Sequence, residues 1–195
     1  MTDNPLLDFS GLPRFDLIGA KHVAPAVDAL LDAGREAVAR VAADTRPATF
    51  ANVVAPTETV FDHLDRAWGA ISHLNAVVNT PAIRDAYNAA LPKVTAFYAD
   101  IALDVRWFAR FRALVDAPEF GELDAAQRKV VDNAIRDFRL GGAELPQPDQ
   151  ARFKAVQEEL ATLSRRSTTT CSTARTPGRI TSRHRRISRA SRPTS

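Results

Sequence analysis

The sequence predicts an all-α protein: an antiparallel helical domain followed by a disordered basic tail. Three observations carry this. Apolar residues recur at helical spacing in successive stripes between residues 21 and 164. No stretch alternates apolar and polar residues as a half-buried strand does, and no Asn-Gly or Asp-Gly pair marks a hairpin. The third observation is charge. The 195 residues include 26 Lys+Arg and 23 Asp+Glu, formally +3. Residues 165–195 hold nine of the arginines and no Asp, Glu or Lys, which leaves residues 1–164 at −6. The pI of about 9.4 therefore describes neither piece.

The elements follow in order. Residues 1–20, with Pro5, Gly11, Pro13 and Gly19, read as an extended arm whose Leu6, Leu7, Phe9 and Phe15 pack on the domain. The helical domain occupies 21–164. Val23, Val27, Leu30, Leu31, Val38 and Val41 form the first stripe. Pro25 suits a first turn, where its missing N–H costs no helical bond. Arg46-Pro47 ends the segment, because a residue before proline is pushed out of the helical region. A second stripe runs Val60, Leu64, Trp68, Ile71, Leu74, Val78, with a start near Pro56. Thr80-Pro81 reads as a cap and first turn. The third stripe is Ile83, Tyr87, Leu91, Val94, Tyr98, Ile101, and Pro92 within it is expected to kink or split the helix.

A shorter segment carries Phe108, Phe111 and Val115 and ends before Pro118. Asp124 and Gln127 have the spacing of a capping box, ahead of the apolar face Val131, Ala134, Ile135, Phe138. Gly141-Gly142 supplies a left-handed stop. Pro146 and Pro148 open a last helix with Phe153, Val156, Leu160 and Leu163. That stripe then vanishes into RRSTTTCSTARTPGRITSRHRRISRASRPTS. The tail, 165–195, has two Ile as its only large aliphatics and is expected to be disordered.

Little here suggests chemistry. Cys171 is the only cysteine, which excludes an intrachain disulfide and a C-x-x-C metal site. The N-terminus lacks the pattern of a secretory signal, and no apolar run is long enough for a bilayer, so a cytoplasmic setting without membrane contact is expected. His22, His63, His73 and His184 are not followed by Glu, so no H-E-x-x-H zinc helix is present. Asp62, His63 and Asp65 form the nearest thing to a catalytic cluster, but a solvated helix face explains them better. Glu58 and Asp62 are like charges on one turn, and Glu158 and Glu159 point apart. Gly141-Gly142 follows a helix and lacks the phosphate-loop pattern. Trp68, Trp107 and Tyr98 sit at or beside core positions. No catalytic, cofactor-binding or metal-binding residue is assigned. The arginines of the tail would attract nucleic-acid phosphates or anionic lipid, but a tail without evolved function accounts for them more simply.

Several stretches resemble one family. NPLLDF and KHVAPAVDALL near the start, SHLNAVVNTPAIRDAYNAALPKV from Ser72 to Val94, and KVVDNAIRDFRLGGAELP from Lys129 to Pro146 look like the N-terminal region of the oligopeptidase A branch of the thimet-oligopeptidase family of zinc metallopeptidases. The resemblance runs nearly continuously over residues 1–164, about the first quarter of a full-length member. It implies a helical segment forming one wall of a deep channel that admits short peptides. It also implies a zinc held further along by H-E-x-x-H and a later Glu, none of which this sequence contains, so this chain is expected to bind no zinc and to lack peptidase activity.

The resemblance stops near Ser164. Codons consistent with Arg166 through Pro177, regrouped one base over, read FNDNVLDGTDA, which resembles the family's next helical stretch. A truncated fragment produced by a frameshift is the expectation. Phe153, Val156, Leu160 and Leu163 would then lack partners and favour self-association. The alternatives are a stand-alone helical interaction module and, less well supported, a nucleic-acid binder acting through the tail.

Overall fold

The computed structural model describes residues 4–174. All regular elements among them are helices. A 3-10 turn at Pro5–Leu7 precedes α1 (Ala20–Ala43), α2 (Phe50–Val53), α3 (Ala55–Val77), α4 (Pro81–Ala102), α5 (Val105–Val115), α6 (Glu119–Glu122), α7 (Ala125–Leu140) and α8 (Gln147–Ala174). The chain divides into two units, Met1–Glu159 and Leu160–Ser195.

In the first unit α1 is the shared element. At 24 residues it is long enough, roughly 36 Å, to serve two cores in succession. Its first half contributes Val23, Val27, Leu30 and Leu31 to a cluster with Leu64 and Ile71 of α3 and Val94 and Phe97 of α4. Its second half places Val38 and Val41 beside Trp107, Phe108 and Phe111 of α5 and Val131 and Phe138 of α7. Phe61 and Ile101 pack against both clusters.

The helix ends follow local chemistry. Thr80 Oγ1 accepts from the Ile83 N–H at 3.3 Å, and Pro81 opens α4. Asp124 accepts from the Gln127 N–H at 2.8 Å while its own N–H donates to the Gln127 amide oxygen at 3.1 Å, a complete capping box. Gly142 adopts φ +91, and the N–H groups of Gly142 and Ala143 donate to the Arg139 and Phe138 carbonyls. This is the expected left-handed stop. Two further caps start helices: Asp104, which accepts from the N–H groups of Arg106 and Trp107, and the Thr49–Asn52 box that starts α2.

Four expectations change. Pro25 lies inside α1, a turn deeper than expected, because the helix starts at Ala20. Pro92 does not split α4, which runs unbroken through it. In α4 the most buried side chain is Phe97, which lies beside the third stripe and faces the missing Cβ of Gly34 in α1. The last helix also continues past residue 164 to Ala174. No proline or glycine interrupts that stretch before Pro177. The remainder of the expected disordered tail lies outside the described residues, as do His184 and most of the tail arginines.

Candidate functional site

The arm lies on α1 and α3. Leu6 is buried in the first cluster, with Leu7 and Phe9 packed against it. The Arg66 guanidinium donates to the Phe9 and Gly11 carbonyls and sits 5.5 Å from the centre of the Phe9 ring. Asn4 donates to the His22 carbonyl at 2.9 Å. Phe15 is half exposed and meets His73 with ring centres 5.4 Å apart.

That placement dissolves the cluster Asp62, His63, Asp65. The His63 ring stacks on Phe9 at 3.8 Å and 3°. Asp62 lies 3.9 Å from Arg66, and Asp65 accepts a hydrogen bond from the Tyr98 hydroxyl at 2.6 Å. Each side chain has a different partner, so no nucleophile, base and orienting group converge. Burial, with Asp65 beside it, pushes the Tyr98 phenol well above its usual range. Tyr98 therefore stays a neutral donor across physiological pH.

The aromatic candidates are core groups. Trp107 packs edge-on against Phe61, Phe111 and Phe138. Trp68 stacks on Tyr87 at 4.9 Å and 10°. Among the described residues, no group of three His, Cys, Asp or Glu is placed to hold a metal ion. The zinc implied by the family resemblance therefore has no fitting donor set there. No helix of the described residues is long and apolar enough to cross a membrane. On α8, Val156, Leu160 and Leu163 are about half exposed, while Phe153 is partly covered and lies near Gly142.

The sequence signals failed to mark the hydrogen bonds that hold the arm. Arg66 reads as an ordinary surface arginine, and its long-range acceptors are main-chain carbonyls that no residue type announces.

The class of protein this fold defines is an all-helical domain, with no convergent side-chain constellation among the described residues. Residues 27–150 match the N-terminal domain of neurolysin/thimet oligopeptidase, and the chain belongs to that family. Among its relatives is oligopeptidase A of Escherichia coli, 39% identical over 82% of this chain. Oligopeptidase A of Haemophilus influenzae is 33% identical over 83%, and a probable cytosolic oligopeptidase A of Arabidopsis thaliana 29% over 84%. The chain spans about a quarter of the length of these relatives: 24% of the two bacterial proteins and 23% of the plant one.

Proposed function

We propose that this chain forms the N-terminal helical wall of an oligopeptidase A-type zinc peptidase that acts on short peptides in the cytoplasm, and that alone it is inactive. The observation carrying the reading is the family match over residues 27–150, joined to the likeness to oligopeptidase A over 82% of the chain. In such a peptidase a zinc ion supplies Lewis-acid activation of water. This chain's own contribution is a rigid surface: α1, α3 and α4 share one packed cluster, a suitable backing for a channel that selects peptides by size.

The same reading covers the tail. We take the sequence after Ser164 as family sequence read one base out of frame, supported by the FNDNVLDGTDA regrouping. Sequencing the coding DNA through codon 166 tests this, with family sequence expected in the shifted frame. An intact single frame with no family sequence beside it overturns it. For activity, purified chain with zinc and a fluorogenic short peptide is expected to give no cleavage, whereas chelator-sensitive turnover refutes the inactive assignment.

A second reading, a stand-alone interaction module, is favoured by the exposed Val156, Leu160 and Leu163. It requires a partner protein to be captured by the intact chain and lost when those three side chains become lysines.

A further inference from the structure

We propose that residues 4–11 of the arm are a transferable peg: the groove on α1 and α3 that seats them accepts the same segment from a second copy of the chain. The groove fits that occupant by identity, since every contact made within one molecule can be made across two.

The contacts that seat the arm are concentrated in residues 4–11. Leu6 is 3% exposed within the cluster built by α1, α3 and α4. Asn4 Nδ2 donates to the His22 carbonyl of α1 at 2.9 Å. The Phe9 ring stacks on His63 with centres 3.8 Å apart and has the Arg66 guanidinium 5.5 Å from its centre. Arg66 also donates to the Phe9 and Gly11 carbonyls, a grip on main chain that either copy's arm offers.

Residues 12–17 join this peg to the rest of the chain and act as the hinge. Their hydrogen bonds are internal: the Phe15 N–H donates to the Pro13 carbonyl at 3.0 Å and the Leu17 N–H to the Arg14 carbonyl at 2.9 Å. The ring contact from the hinge to the helices is Phe15 against His73. Straightening the hinge therefore gives up little, while the contacts of the peg are remade on the second copy. The hinge also gains. Leu12, Phe15 and Leu17 are 89%, 43% and 47% exposed, a large apolar load for a short surface loop. In a reciprocal exchange the two hinges pass one another antiparallel about a two-fold axis, where these side chains cover each other. Arg14 and Asp16 flank Phe15, so that pairing sets Arg14 of one copy against Asp16 of the other.

The short tether sets the concentration scale. It holds the peg near its own groove at an effective concentration on the order of 1 mM, so about half the arms are exchanged at ~1 mM of chain. At micromolar concentration each copy keeps its own arm.

Complementation between two full-length variants is the test. Both carry Val156→Lys, Leu160→Lys and Leu163→Lys, so α8 does not join the copies. The first adds His63→Ala and Arg66→Ala, which spoil the groove and leave the peg. The second adds Leu6→Asp, which spoils the peg and leaves the groove. Amide hydrogen exchange over residues 4–11 is read by mass, which separates the two arms. A peg protected about tenfold in its own molecule binds in trans with a Kd of about 0.1 mM. Mixing the variants at about 0.5 mM each is then expected to raise protection of the first variant's peg about threefold. No rise on mixing overturns the proposal, as does an equal rise when the second variant also carries the groove changes. Should either variant fail to fold, Phe9→p-benzoylphenylalanine in the otherwise unsubstituted groove replaces them. Photo-cross-links are then expected to join two copies in about half the molecules at ~1 mM and in almost none at ~10 μM. Cross-links confined to single copies at both concentrations overturn the exchange.

Discussion

Gly34 and Phe97 show how one missing atom places a buried ring. A Cβ built on Gly34 would lie 2.6 Å from Phe97 Cζ and 3.1 Å from Cε2. Phe97 is 1% exposed, and Phe61 and Tyr98 pack edge-on against it, so it has no free direction in which to retreat. Replacing glycine by alanine inside a helix ordinarily gains up to about 1 kcal/mol. Overpacking a fixed core costs about 1–3 kcal/mol. Gly34→Ala is therefore expected to destabilise the fold by roughly 1 kcal/mol net, read as a lower denaturant midpoint with unchanged slope. A gain in stability would mean that the ring moves freely. Asp44 is a second single-residue case. Its carboxylate binds the Arg46 guanidinium and N–H, which holds its pKa down at about 2. A depressed carboxyl adds stability above its unfolded pKa, and that stability is lost as pH falls through the folded value. Asp44→Asn is thus expected to narrow the stability difference between about pH 5 and pH 2, followed by acid titration with circular dichroism.

At the scale of the element, the caps were the most legible features. Asp124 with Gln127, Thr80 with Pro81, and Gly141-Gly142 each act through atoms within a few residues, so residue type and spacing suffice to foresee them. Asp124→Ala is expected to cost about 1 kcal/mol, since it removes the acceptor for the Gln127 N–H. Gly142→Ala is expected to cost about 1–2 kcal/mol, because φ +91 forces a side chain into an unfavourable backbone region. Thermal melts of both variants check these values. If Asp124→Ala proved the more damaging by a wide margin, the stop would be less strained than its φ implies. Less legible was the face that α4 buries. Periodicity marks Tyr87, Leu91 and Tyr98 as well as it marks Phe97, and only the groove at Gly34 on another helix decides between them. Nor was the arm legible, since the Arg66 acceptors are backbone carbonyls distant in sequence. In the sequence, the Asp62, His63, Asp65 group is explained best as a solvated helix face. What the structure adds is a specific partner for each member of the Asp62, His63, Asp65 group.

For the whole chain, two different forces can bring molecules together, and salt separates them. The first 164 residues carry −6 and the remainder +9, so one molecule's tail can attract another's body. Val156, Leu160 and Leu163 offer an apolar alternative at 47%, 55% and 51% exposure. Fully burying a large apolar side chain is worth about 1.5–3 kcal/mol, so finishing three half-burials gains a few kcal/mol per molecule. Exposed ion pairs are worth at most about 1 kcal/mol each and are screened by salt, whereas the apolar contribution is not. Self-association is accordingly expected to be apolar. Light scattering should show a concentration-dependent mass that persists in sodium chloride and grows in sulfate. The triple replacement Val156→Lys, Leu160→Lys, Leu163→Lys should return the chain to a monomer. It also raises the net positive charge, so deletion of residues 175–195 provides the control. An apolar contact survives that deletion, whereas dissociation on deletion or in moderate sodium chloride would assign the contact to charge.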